Sequence, residues 1–163
     1  ISPAQFLAFS TSSSAATLPV TMECVEENVG VPKSVSSFVL PIGATVNMDG
    51  TSMFEGVAVV FLAQLHFIDL TIAQQLTIVF TAAAASIGSA AVPSAGLIMM
   101  IMVLQSVGLN PAWVAVIFPV DRILDMCRTS VNVYSDTVAA IIIDNSEGGS
   151  PYPMEFQKIE PTA

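Results

Sequence analysis

The segment from about 38 to 67 is apolar except where Asn47-Met48-Asp49-Gly50-Thr51 interrupts it near its middle. It is long enough to cross a bilayer, which takes about 20 residues. Ionised groups at that depth are costly unless they face a partner or a cavity. The pattern therefore predicts a broken span over about 34–67. Gly50 is expected to permit backbone geometry that frees carbonyls, while Asn47 and Asp49 offer hard oxygen ligands. Broken helix is tolerated at membrane depth where it lines a cavity, and it suits an alkali-cation site. A kinked span with a polar packing patch fits these five residues equally well.

Shorter apolar arms flank this span. Phe6-Leu7-Ala8-Phe9 runs into Ser10-Thr11-Ser12-Ser13-Ser14, and Leu18-Pro19 starts a second helical stretch ending near Glu26-Glu27. Each arm is too short for a hydrocarbon core of about 30 Å. Two such arms joined by small hydroxyl residues predict a re-entrant helical hairpin over about 2–29, a better fit than a serine-rich linker. Gly30 and Pro32 mark a turn before the broken span. Between about 71 and 108 the pattern returns. Ile72 to Ser86 leads through small residues around Pro93, from Ile87 to Gly96, into Leu97 to Val107. The first arm covers about 22 Å at 1.5 Å per residue, which favours a second hairpin over two ordinary spans and a tight turn.

Asn110-Pro111 opens a last span, running to about 144. Asp121, Asp125, Arg128, Asn132 and Asp136 follow at offsets of 4, 3, 4 and 4, which puts all five on one helical face. Thr129 lies beside them. Such a row cannot face lipid, so it is expected to turn inward on a polar site. Asp125 and Arg128 suit an intrahelical ion pair, but that leaves Asn132 and Asp136 unexplained. Arg122 falls off the stripe, as a partner for a neighbouring hairpin or a snorkelling side chain. The lone His66, beside Asp69, reads as an ordinary interfacial residue.

Composition agrees with a bilayer as solvent. Of 163 residues, 53% are hydrophobic and 10% charged, against about 25% charged in soluble domains. The mean hydropathy is +0.75, and no charge occurs from Leu70 to Val120. A net charge of −9, with Lys33, Arg122, Arg128 and Lys158 as the cations, argues against nucleic acid as a partner. Cys24 and Cys127 lack zinc-like spacing. The chain opens at Ile1 without a Met or a signal segment, and is expected to be a piece of a longer protein. The fold expected is an all-α membrane protein: two re-entrant helical hairpins plus two transmembrane helices, one of them broken mid-membrane. Residues 146–163 read as a polar, disordered tail.

With those motifs in order, residues 2 to 145 resemble the C-terminal half of the glutamate transporter family, the dicarboxylate/amino acid:cation symporters. The resemblance rests on the serine-rich tip with Thr17-Leu18-Pro19-Val20-Thr21, on Asn47-Met48-Asp49-Gly50-Thr51, and on the tip from Gly88 to Gly96. It rests also on Asp125-Met126-Cys127-Arg128-Thr129 with Asn132 and Asp136. It implies that residues 1–145 are half of a transport domain in the cell membrane (plasma or inner), part of a multi-pass protein that is not an enzyme. It implies sodium-coupled symport of an acidic amino acid, glutamate or aspartate. An N-terminal half of the same protein, a homotrimeric assembly and the lipid bilayer are the implied partners.

Carried over residue by residue, Arg128 resembles the residue that takes the substrate's side-chain carboxylate, and Asp125 the one that takes its amine. Thr51, Thr129 and Asn132 resemble further substrate contacts, as do Ser14 in the first hairpin and Val92 and Gly96 in the second. Carbonyls of Gly43, Asn47 and Asn132 with the Asp136 carboxylate resemble one sodium site. Asn47 and Asp49 resemble part of a second, and Thr45 with the backbone of Ser86, Ile87 and Ser89 a third. Such oxygen ligands suit a hard cation. Glu55, one helical turn after Thr51 and flanked by Phe54, Val57 and Val59, resembles a protonatable Glu of animal members. It is a candidate carrier of H+.

Three departures stand out. Family members carry a second Arg at one of two positions, held here by Ser12 and Met126. Ala91 and Ser94 replace common glycines in the second tip, and Glu55 stands where many prokaryotic members have Gln. A C4-dicarboxylate symporter on the same fold is the nearest rival, and Asp125 argues against it by favouring an ammonium. A passive ion channel lined by Asp121, Asp125 and Asp136 fits less well, because Arg128 sits among those acids. A membrane hydrolase using one of Ser12 to Ser14 fits least, because the sequence has no Gly-x-Ser-x-Gly elbow and its sole His66 lies at the far end of another segment.

Overall fold

The computed structural model describes residues 1–87, 89 and 93–148. Those residues form α-helices and no strand: α1 (Ser2–Thr11), α2 (Ser14–Cys24), α3 (Lys33–Val46), α4 (Asp49–Leu65), α5 (Ile72–Ile87), α6 (Ala95–Ser106) and α7 (Val114–Ser146). The all-α expectation holds.

The hydroxyl run between the first two helices is capping chemistry. Ser12 closes α1 in the left-handed region, φ 53°, and donates its amide to the Ala8 carbonyl. Ser13 opens α2, its hydroxyl accepting from the Ala16 amide, the usual way to satisfy an orphan N–H at a helix start. The second arm therefore begins at Ser14 rather than at Leu18, and Pro19 lies inside it. It continues past Cys24 as one π-helical turn, Val25–Val29, which Gly30 ends at φ 89°.

The polar interruption is narrower than its five residues suggest. Only Asn47 and Met48 leave the helix; Asp49, Gly50 and Thr51 are the first turn of α4. Gly50 does not use the conformational freedom expected of it, since its φ is not positive. Its missing side chain matters instead. A Cβ there would collide with the Arg128 carbonyl oxygen, so the start of α4 lies directly on the α7 backbone.

Helix α7 packs against α1, α3 and α4. Its N-terminal end meets a core built from Val59 and Leu62 of α4, Ile78 of α5 and Met100, Val103 and Leu104 of α6. Further along, Val133 packs with Ala4, Ala8 and Cys24, and Ala140 with Val25, Val31, Val39 and Leu40. Between these apolar clusters runs the polar stripe. Among the described residues no helix is both long and apolar enough to cross a membrane. The break divides α3 from α4, and α7, although 33 residues long, carries the charged stripe. The outer faces are strongly apolar: Phe6, Phe38, Val57, Phe80 and Phe118 are each at least 70% exposed.

Candidate functional site

Every member of the predicted stripe is buried: Asp121, Asp125, Arg128, Asn132 and Asp136, with Thr129 beside them. Arg128 donates its Nε to Asp125 Oδ1 at 2.7 Å, and its Nη1 lies 3.3 Å from Asp121 Oδ1. The intrahelical pair is therefore present, and Asp121 joins it. The two outer guanidinium nitrogens make no hydrogen bond among the described residues. They point toward Gly96, where a Cβ would sit 2.9 Å from Nη1, and the Phe54 ring lies 4.6 Å from Cζ. Such a ring face attracts a guanidinium.

A cavity of about 20 Å³ lies at this point, lined by residues of α2, α4, α6 and α7, among them Ser14, Thr51, Gly96, Asp125, Arg128, Thr129 and Asn132. All seven had been singled out from the sequence. Three helices begin at this cavity, α2 at Ser14, α4 just before Thr51 and α6 at Ala95–Gly96. Helix starts carry unpaired N–H groups and the positive end of the dipole. Three such ends and one guanidinium favour an anion, while Asp125 on the same wall favours a cationic group. The space holds about one water.

Backbone and side-chain amides knit the break to α7. Asn132 accepts from the Gly50 amide at 2.7 Å and donates to Thr51 Oγ1 at 3.2 Å. Asn47 donates to Asp136 Oδ1 at 3.0 Å and to Ser135 Oγ at 3.1 Å. Gly43 lies against the same carboxylate, where a Cβ would stand 2.6 Å from Oδ1. The structure thus gathers Gly43, Asn47, Asn132 and Asp136. Asp49 is exposed beside them, on a groove it shares with Asn47 and Ser135.

The remaining candidates are less connected. Thr45 is exposed and donates its hydroxyl to the Ile42 carbonyl at 3.1 Å. Ser86 donates to the Ala83 carbonyl, its own carbonyl accepts from the Ser89 amide, and Ile87 is exposed. Among the described residues no hydrogen bond joins Thr45 to that turn. Val92 lies outside the described residues. Glu55 is fully buried, and neither carboxylate oxygen has a hydrogen-bond partner among the described residues. No group of three His, Cys, Asp or Glu side chains suited to a metal ion occurs there either.

Several contacts were not foreseen. Ser94 donates its amide to Asp125 Oδ2 at 2.7 Å and its hydroxyl to Asp121 Oδ2 at 2.8 Å. Asp121 was on the stripe, one turn before Asp125, and that spacing was signal enough. Phe54 carried none, because an aromatic in an apolar run looks like packing. Arg122, by contrast, takes one of the two roles expected of it: it is exposed and reaches the Ser10 carbonyl at 3.4 Å, joining α7 to α1. His66 does more than sit at an edge: it stacks on Trp113, with ring centroids 3.7 Å apart.

The family model described as the sodium:dicarboxylate symporter family matches residues 1–146. An excitatory amino acid transporter of Caenorhabditis elegans is 52% identical over 136 residues, 83% of this chain and 27% of that protein. Excitatory amino acid transporter 1 of Rattus norvegicus is 51% identical over 138 residues, 85% of this chain and 25% of the relative. Excitatory amino acid transporter 4 of Mus musculus is 46% identical over 155 residues, 95% and 27% respectively. The chain spans about a quarter of the length of these curated relatives. A match that begins at the first helix and runs through the whole polar stripe leaves one assignment: the chain belongs to the sodium:dicarboxylate symporter family.

Proposed function

We propose that the full-length protein is a sodium-coupled symporter of acidic amino acids, such as glutamate or aspartate, in the cell membrane. The observation that carries this reading is the buried Arg128. Its Nε is held by Asp125 while Nη1 and Nη2 are left without hydrogen-bond partners among the described residues. A substrate carboxylate takes both outer nitrogens in the two-pronged geometry that guanidinium favours. Asp125 has acceptor capacity left for the substrate ammonium, because a carboxylate offers about four lone-pair sites. Thr51, Thr129 and Asn132, with Ser14, Val92 and Gly96, complete the substrate shell. The relatives' names support an amino acid over a C4-dicarboxylate, and so does Asp125.

Sodium enters as cargo. Carbonyls of Gly43, Asn47 and Asn132 with Asp136 form one site, Asn47 and Asp49 part of another, and Thr45 with Ser86, Ile87 and Ser89 a third. Glu55 is the proposed proton carrier, on the ground that its carboxyl is buried without a hydrogen-bond partner among the described residues. Residues 1–145 act as the C-terminal half of a transport domain, α1–α2 and α5–α6 as re-entrant hairpins, α3–α4 as a broken span and α7 as the last. Their exposed aromatic faces fit lipid and an N-terminal half of the same multi-pass protein, assembled as a homotrimer. Calorimetric titration of the full-length protein with aspartate, glutamate and succinate tests the reading. Aspartate or glutamate should bind only with sodium present, and succinate more weakly; tighter succinate binding would favour the dicarboxylate carrier.

A further inference from the structure

Helices α5 and α6 pack as a pair, and the chain enters and leaves that pair through two sharp turns. Phe67, just after α4, has φ 58°, and Gly108, just after α6, has φ 75°. Glycine adopts that region freely, whereas a bulky side chain enters it at a cost. The Phe67 side chain gains nothing in return, being 96% exposed. Its backbone is fixed instead: its amide donates to the Gln64 carbonyl at 3.0 Å, and the Ile68 amide to the Ala63 carbonyl at 2.9 Å. Strain of this kind persists where the surroundings over-determine it. The neighbouring residue shows what the turn achieves. His66 lies flat on Trp113, with ring centroids 3.7 Å and planes 9° apart. A carbonyl can only accept, so His66 Nδ1 donates to that of Leu62 at 2.8 Å, and the ring is held from two sides. Trp113 in turn packs against the core of α4, α5 and α6. The stack joins the chain just before α5 to the chain just after α6, across the base of the pair.

The other end of the pair lies on the polar stripe, where Ser94 donates to Asp121 and Asp125 and Gly96 faces Arg128. Between the two ends the pair is held by apolar side chains, whose attraction is non-directional. We infer that His66 and Trp113 are positioning residues: their stack is a clasp across the base of the α5–α6 pair, and it holds Ser94 and Gly96 in place on α7. Phe67 and Gly108 are the hinges it locks, since such motion is absorbed by a few residues at element ends. The inference deepens the transport reading, in which Gly96 borders the substrate. Releasing the clasp lets the start of α6 lift from the stripe and the substrate leave sooner.

The test is amide hydrogen exchange of the full-length protein, with aspartate dissociation followed alongside, for wild type, His66→Ala, Trp113→Ala and His66→Phe. Breaking the stack should speed exchange at the Ser94 and Leu97 amides about threefold to tenfold, the scale of a stacked ring pair, and leave the amides of α2 unchanged. Aspartate should leave faster by a similar factor. His66→Phe keeps a ring on Trp113 and should keep both rates within twofold of wild type. Should Trp113→Ala not fold, Trp113→Leu keeps an apolar side chain against the core, loses the stack and carries the same expectation. Exchange at Ser94 and Leu97 within twofold of wild type in the Ala variants would overturn the clasp. An equal rise throughout the chain would also overturn it, by making the stack a matter of general stability, and so would faster exchange without faster aspartate release. If wild type binds no acidic amino acid, the transport reading fails on its own, and the exchange at Ser94 and Leu97 still decides whether the clasp exists.

Discussion

Arg128 ties together the first half of the polar stripe. One guanidinium faces two carboxylates, Asp121 and Asp125, and a ring face, while two of its nitrogens make no hydrogen bond among the described residues. Removing one partner of a buried charged contact costs about 2–5 kcal/mol. Arg128→Cys should therefore weaken aspartate binding by about thirtyfold or more, read by calorimetry. Unchanged affinity would show that the guanidinium only neutralises its acids. Asp125 makes a separate prediction. Asp125→Ser removes the carboxylate proposed for the ammonium, so aspartate should lose far more affinity than succinate. Equal losses would mark Asp125 as a support for Arg128 and the Ser94 amide, both of which it binds.

The helices explain why the stripe was legible and other features were not. Period alone placed Asp121, Asp125, Arg128, Asn132 and Asp136 on one face, because nothing else makes such a row tolerable in an apolar chain. The break at Asn47-Met48 was legible for the same reason. Its extent was not, since a helix start and a helix interruption use the same small polar residues. Serine caps likewise hid the true start of α2, placing it at Ser14 instead of Leu18. Close approach leaves no periodic trace, so Gly50 read as a residue that permits backbone geometry freeing carbonyls when it is a point of contact. Gly50→Ala should force α4 away from α7 and destabilise the protein by about 1–3 kcal/mol, the usual cost of overpacking. An unchanged melting midpoint would contradict that contact. The join between α3 and α7 carries the proposed cation site. Asp136→Asn should raise the sodium concentration needed for substrate binding by about tenfold, the scale of a lost charge-assisted contact. Asp49→Asn should shift it in the same direction. Sodium dependence that stays put in both variants would leave these acids a packing role.

The assembled chain is a set of helices in which a buried polar stripe runs between apolar clusters, while many large apolar side chains stay exposed, more than water selects. Composition pointed the same way, and the exposed Phe6, Phe38, Phe80 and Phe118 are consistent with lipid or further protein around them. Within this frame Glu55 is a buried carboxyl one helical turn from Thr51, in the first half of α4. In liposomes, substrate-driven proton movement should vanish in Glu55→Gln while sodium-driven exchange persists; proton movement that survives the change would assign the proton elsewhere. The central claim is the coupling of sodium to an acidic amino acid, and uptake of radiolabelled aspartate by the full-length protein in liposomes tests it most directly. The account predicts accumulation when an inward sodium gradient is imposed and none when choline replaces sodium. Equal aspartate uptake with and without the gradient, or none under either condition, would contradict it.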